Sequence, residues 1–338
     1  MTTAAEIDAA RLLLTHLGLT PEQLIDAASP TEVPTFSEYI TVLRESIPAT
    51  TLRVYDTYFR RIEEEWGDRV LSEATAAELR QLAERTKHAA VVRRNSRGGR
   101  SAAESLIAAA RCIYSHAEEA GYIRPDDNPA RRVAKPRRLT STRRAISDQQ
   151  LADIVHTAAT TGDDPNLDTM LLRLHIETAC RRSGALALRP QDLDADQCLI
   201  FLREKAETVR WQPVSPTLMR AMLNHITERH GDHPVDTEPL FRRRNGTPVT
   251  RRRYDSLWKR IGKNLEWVER QQITAHWLRH TTLTWVERHF GYAVARAFAG
   301  HAEPDSRSGQ TATYIRASLQ EVAEALAAMT GEPHPLAA

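Results

Sequence analysis

Cysteine is scarce in this sequence: Cys112, Cys180 and Cys198 are the only three in 338 residues. Their odd number and wide spacing exclude a disulfide framework and offer no Cys-x-x-Cys metal site, so they read as small buried apolar residues. Long apolar runs are missing too. No stretch approaches the ~18 uninterrupted apolar residues of a membrane-spanning helix. Glu6 and Asp8 stand where a secretory signal would be basic, so a cytoplasmic protein with no membrane partner is expected. There is no glycine-rich phosphate loop, no Gly-x-Ser-x-Gly motif, no internal repeat and no low-complexity tract. Charge of one sign does not dominate either: 46 Lys and Arg against 44 Asp and Glu give +2, which alone says little about nucleic acid. What is present, 41% hydrophobic and 27% charged residues, is the make-up of an ordinary globular protein long enough for two domains.

The distribution of charge says more than its sum. Arg131, Arg132, Lys135, Arg137, Arg138, Arg143 and Arg144 follow one another without an acidic residue, and so do Arg242, Arg243, Arg244, Arg251, Arg252 and Arg253. One such run is as well explained by a solvated surface of an Arg-rich chain as by phosphate binding. Two runs favour DNA.

Apolar residues recur at helical spacing through the first 125 residues, as in Leu43, Ile47, Leu52, Tyr55, Tyr58, Phe59 and Ile62. The spacing predicts helices at Ala4 to Leu17, Pro21 to Ala28, Phe36 to Ser46, Thr51 to Trp66, Ala76 to Lys87 and Ser101 to Ala120. The first two form an extension over 1–34, and the rest a helical domain over 35–127. Asn128 to Thr142 holds Pro129, Pro136 and the first basic run, and the stretch 128–144 reads as an extended basic linker. A second domain, 145–330, opens at Ser147, where Gln150 completes a capping pattern. It is helical except for Leu199 to Arg203 and Val209 to Val214, two short β-type runs either side of Glu204 to Thr208 that predict a hairpin. A helix with an apolar stripe of Leu319, Val322, Ala323, Leu326 and Ala327 closes it, ahead of a tail over 331–338. The fold class is therefore mainly α: a helical domain followed by an α+β domain with a small β element.

His276 and His280 lie one helical turn apart, the spacing of a metal pair. Trp277 occupies the place where a zinc protease carries its Glu, so no metal site is expected there. The company of His276 is more informative. Thr178-Ala179-Cys180-Arg181-Arg182-Ser183, then His276-Trp277-Leu278-Arg279-His280, then Ala299-Gly300-His301, then Thr311-Ala312-Thr313-Tyr314 occur in that order, and Lys205 sits in the predicted hairpin turn. Together these residues resemble the tyrosine recombinase (phage integrase) family, whose signature is an Arg, a hairpin Lys, an His-x-x-Arg box, a Gly-His pair and a terminal Tyr. The resemblance spans roughly Ala145 to Ala327; the preceding domain is similar to the family's SAM-like core-binding domain in general character only. Two departures stand out. Position 184 is Gly where the family often carries an acidic residue, which leaves open what supports Arg181, and the interval from His301 to Tyr314 is long.

The resemblance implies that Tyr314 attacks a DNA phosphate to form a 3′-phosphotyrosyl link, with His276 as base, His301 bonding the phosphate and Lys205 protonating the departing 5′-oxygen. Arg181 and Arg279 would meet the extra negative charge of the pentavalent state with planar forks that stay protonated at any working pH. It also implies a C-shaped clamp on double-stranded DNA, a homotetramer on two sites, strand exchange through a Holliday junction, an accessory directionality factor as a further partner, and no metal or nucleotide cofactor. Phosphate contacts from the basic runs are expected at Arg131, Arg132, Lys135, Arg137, Arg138, Arg243 and Arg252. The competing readings are a type IB topoisomerase-like enzyme and a DNA-binding regulator without catalysis.

Overall fold

The computed structural model describes residues 3–18, 20, 32–91, 97–137, 144–204, 208–231, 235–300 and 317–337. The helix expected over 21–28, together with Arg138, Arg143, Lys205, His301 and Tyr314, lies outside the described residues. The chain divides into two compact units, Met1–Thr140 and Ser141–Ala338.

The first unit is helical: α1 (Ala4–Leu17), α2 (Phe36–Ser46), α3 (Ala49–Trp66), α4 (Ala76–His88) and α5 (Arg100–Glu119). Side-chain caps set two of the starts. Thr35 and Thr75 each accept from the amide three residues on, while Glu38 and Glu78 reach back to the cap amide, which satisfies donors that a helix leaves unpaired. One stripe of α5, Leu106, Ile107, Ala110, Ile113, Tyr114 and Ala117, is buried against Phe36 and Ile40 of α2, Phe59 and Ile62 of α3, and Leu79 of α4. The Tyr114 hydroxyl, buried with the stripe, donates to the Leu71 carbonyl at 2.9 Å.

The start of the expected linker is not extended. Asn128 accepts from the Ala130 amide at 2.8 Å and caps a 3₁₀ turn over Pro129–Arg132. Ala130 and Val133 enter the first core, and Arg111 donates to both their carbonyls, at 3.2 and 2.8 Å. An Asn-Pro turn followed by two apolar side chains packs back on the helices, so the segment as far as Val133 belongs with the first core.

The second unit contains α6 (Asp148–Thr160), α7 (Pro165–Thr178), α8 (Arg182–Ala187), β1 (Leu193–Asp194), β2 (Leu199–Arg203), β3 (Val209–Pro213), α9 (Pro216–His230), α10 (Arg251–Asn264), α11 (Glu266–Gln271), α12 (Ala275–Ala299) and α13 (Leu319–Thr330). Its sheet is antiparallel in the order β1-β2-β3, with Leu199 opposite Pro213 and Arg203 opposite Val209. The hairpin is the expected one, and β1 is an addition of two residues, too short to carry a periodic signal. Leu171, Leu172 and Leu174 of α7 are wholly buried, so this helix forms the spine of the unit.

The helix expected near the end of the chain is present as α13. The apolar stripe of α13, Val322, Ala325 and Leu326, is buried against Val286, Val294 and Phe298 of α12 and against Ala179. The resemblance suggests a docking role for such a terminal helix; in this chain its stripe is covered within its own unit. The expected tail is packed as well. Glu332 accepts from the Thr217 amide at 3.1 Å, and buried His334 places Nε2 3.2 Å from the Cys198 carbonyl.

Candidate active site

The site grows from the turn that follows α7. Ala179 caps that helix with φ 50°, a left-handed conformation that costs a residue with a Cβ roughly 1–2 kcal/mol. Hydrogen bonds on both sides hold it there. Thr178 Oγ1 accepts from the Cys180 amide at 3.2 Å, the Thr178 carbonyl accepts from Arg210 Nη2 at 3.3 Å, and the Ala179 carbonyl accepts from Arg279 Nη1. The chain then turns extended at Arg181, which caps α8. Arg181 is therefore not inside a buried helix, as the apolar sequence around it suggests; its side chain keeps 35% of its surface exposed.

Arg279 comes from the opposite direction, on the first turns of α12. His276 lies three residues before it, on the same side of the helix by spacing, and is exposed where Arg279 is buried. Further on, Gly291 takes φ 80° and ψ 173°, so the helix breaks and its last turns, Tyr292 to Ala299, run in a new direction. That break lets Arg279 Nη2 donate to the Ala299 carbonyl at 2.7 Å. One guanidinium thus ties the turn before Arg181 to the residues leading into His301. Burial and the nearby Arg181 charge push the Arg279 pKa below its ordinary value.

The hairpin supplies the third side. Arg210 of β3 is nearly buried, donates to the Phe298 carbonyl at 2.6 Å, and packs where a Cβ on Gly300 would stand. Burial lowers its pKa to about 10. On the partner strand, Arg203 pairs with Asp192 at 2.5 and 2.7 Å and lies 5.0 Å over the Phe201 ring. Beyond it Glu204, whose amide donates to the Thr208 carbonyl at 2.8 Å, closes the hairpin. Its buried carboxylate accepts from the Arg181 amide at 2.6 Å and from Arg181 Nη1 at 2.9 Å. Sequence reasoning missed Glu204, because its partner is 23 residues away and a Glu in a charged turn looks solvated.

The structure therefore brings Arg181, Arg279 and the end of β2 together, with exposed His276 on the helix that carries Arg279. Where Lys205, His301 and Tyr314 stand is outside the described residues. Cys180 beside Arg181 invites a nucleophile reading, since its Sγ is 3.5 Å from His175 Nδ1. Burial opposes it: the thiol is pushed up to about 11 and the imidazole down to about 4, so neither ionises near neutrality.

The second basic run is less open than it reads. Arg253 is buried and grips Asp168 through two 2.7 Å bonds and Asp163 through a third, and Arg242 pairs with Glu238. These acids lie outside the run, so a scan along the chain cannot see them. Arg251 and Arg252 remain exposed at the start of α10, and Arg243 is half-buried. In the first run, Arg131 meets Glu118 at 2.6 Å and Arg132 donates to the Asp126 carbonyl, yet both stay exposed, as do Lys135 and Arg137.

Comparison with known proteins gives a consistent picture. Residues 144–320 match the phage integrase family. The tyrosine recombinase XerC of Corynebacterium glutamicum is 25% identical over 178 residues, covering 52% of this chain and 56% of that protein. XerC of Chlamydia pneumoniae is 24% identical over 207 residues, 59% of this chain and 64% of that one, so the chain spans less than two thirds of either relative. Among solved structures, a lambda integrase tetramer bound to a Holliday junction aligns with a TM-score of 0.61 at 13% identity, covering 94% of this chain and 88% of the other. The Tn1549 transposon integrase in complex with transposon right end DNA aligns with 0.59 at 19% identity, covering 85% and 97%. At these identities the two structures speak for the fold.

Proposed function

The chain belongs to the phage integrase family, and from that premise we propose that it is a site-specific DNA recombinase that cuts and rejoins DNA through a phosphotyrosyl intermediate. The observation that carries this reading is the convergence of Arg181 and Arg279, 98 positions apart in sequence, on the single turn at Ala179, beside the hairpin that bears Lys205. Two guanidiniums held by backbone and carboxylate partners are preorganised cations. They lower a barrier because they need no reorientation as charge builds on the non-bridging oxygens.

In the proposed sequence the Tyr314 hydroxyl oxygen bonds to phosphorus while His276 accepts its proton. The bond to the 5′-oxygen breaks, Lys205 supplies the proton that oxygen needs, and His301 hydrogen-bonds the phosphate. Reversal by a new 5′-hydroxyl rejoins the strand without ATP. Exposed Arg131, Arg132, Lys135, Arg137 and Arg252, with Arg138 and Arg243, supply backbone contacts on double-stranded DNA and a steep salt dependence. Assembly as a homotetramer on two sites, strand exchange through a Holliday junction and an accessory directionality factor complete the proposal; the mobile element's integration or excision is the role that fits.

The reading is tested by incubating the protein with nicked duplexes of randomised sequence, isolating SDS-resistant adducts and mapping the modified peptide. A DNA-linked peptide containing Tyr314 is expected, and an adduct on another residue, or none, would remove the reading. Cleavage is also expected to persist in excess EDTA, because Arg181, Arg279 and Lys205 perform the charge stabilisation and proton transfer that a metal ion can otherwise supply. Loss on chelation, restored by Mg²⁺, would refute that division of labour.

A further inference from the structure

Resting on the recombinase reading, we infer that Glu204 is a positioning residue, a buried carboxylate that aims Arg181 at the phosphate and sets the base of the Lys205 turn, and that Gly184 exists to make room for it.

A carboxylate at a site built for an anion weakens that site unless it performs another task. Arg181, Arg210 and Arg279 crowd one region, and packed guanidiniums repel one another. Glu204 is the buried anion among them: both its oxygens face Arg181, and Arg210 Nε stands 3.7 Å from Oε2. Holding the Arg181 amide as well as Nη1 fixes backbone and side chain together. Among the described residues no other nitrogen of the Arg181 side chain is hydrogen-bonded, so the rest of its fork is left for a ligand.

The steric side of the inference lies at Gly184, one turn along α8. A Cβ there would stand 3.1 Å from Glu204 Cγ and 3.4 Å from Oε1, against the carboxylate arm itself. The glycine is helical, so backbone conformation does not demand it; a side chain there would press on the Glu204 arm, which would have to give by a few tenths of an ångström. The same distances mean that a carboxylate carried on residue 184 could reach the position Glu204 now fills. Glu204 also connects two proposed functions covalently, since it bonds Arg181 and is the residue before Lys205.

The test uses the full chain and sites recovered from wild-type adducts on nicked randomised duplexes. Glu204→Gln keeps shape but turns an amide N–H toward a guanidinium N–H. Its single-turnover adduct rate is expected to fall about 10–100-fold, the scale of a small misplacement of a reacting group, with DNA affinity unchanged. The exchange Gly184→Glu with Glu204→Gly should recover at least about tenfold of the lost rate, because the carboxylate returns from the other side. A wild-type rate for Glu204→Gln would overturn the inference, as would equal losses of rate and affinity. Should Glu204→Gln fail to fold, judged by circular dichroism, the exchange variant decides alone: recovery supports the inference, and a folded but inactive exchange variant overturns it. An absence of adducts from wild-type protein is a different failure, of the recombinase reading itself, and the inference falls with it.

Discussion

Tyr314→Phe is expected to bind DNA as the parent chain does and to form no covalent adduct at all. The substitution removes one oxygen atom. If that oxygen is the nucleophile, the thiol beside Arg181 cannot replace it, because Cys180 is sealed in the core with its thiol pushed up to about 11. One neutral hydroxyl contributes little to ground-state affinity, which comes from the cations facing the phosphates. Glu204 holds Arg181, and the Ala179 and Ala299 carbonyls hold Arg279, so their positions should survive the change. Gel shift and SDS gels on one labelled duplex read both properties. An SDS-stable band from the variant would end the assignment of Tyr314, and a large loss of affinity would recast the tyrosine as a structural residue.

The second large effect is expected at Lys205, with a signature that separates proton transfer from mere charge. General acid catalysis commonly contributes about 10²–10⁴-fold, so Lys205→Ala should slow cleavage by that order on ordinary DNA. A substrate whose 5′-bridging oxygen is replaced by sulfur leaves as a thiolate, whose conjugate acid has a pKa near ~8.5 and needs no proton in the transition state. On that substrate the variant should cleave nearly as fast as the parent. The local frame favours a clean experiment, since Arg203 with Asp192 and Glu204 with Thr208 brace the strands on either side of the turn. Equal slowing on both substrates would assign Lys205 to phosphate binding and leave the acid unidentified.

Much of the fold is legible in the chain because its signals are local. Thr35 with Glu38, Thr75 with Glu78, and Ser318 with Glu321 announce helix starts within four residues, and the apolar stripes of α3, α5 and α13 follow the helical period. Arg181, His276 and Arg279 are likewise legible, through the order of their motifs. The parts that escape are long-range. Glu204 finds Arg181 from 23 residues away, Asp168 neutralises Arg253 from 85 residues away, and Arg111 captures the carbonyls of Ala130 and Val133 in what reads as a linker. A side chain that is charged and buried is invisible to periodicity, which registers only apolar atoms seeking cover. The Gly at 184 is the instructive case: read along the chain it is a missing carboxylate, and in space it is the room that another carboxylate occupies.

Gly291 separates two kinds of intolerance to substitution that are usually confounded. Among the described residues nothing lies within 4 Å of where its Cβ would point, so by crowding alone any residue would be welcome there. Its φ of 80° with ψ of 173° belongs to a region of backbone space essentially closed to every residue with a Cβ. A scan of all amino acids at 291 would therefore find a position as unforgiving as a packed core residue, on an open surface, with the penalty carried entirely by the main chain. The strain of a larger residue would be relieved by straightening α12, and a straightened helix would carry the Ala299 carbonyl away from Arg279. A surface glycine would thereby govern the proposed site through the path of the backbone.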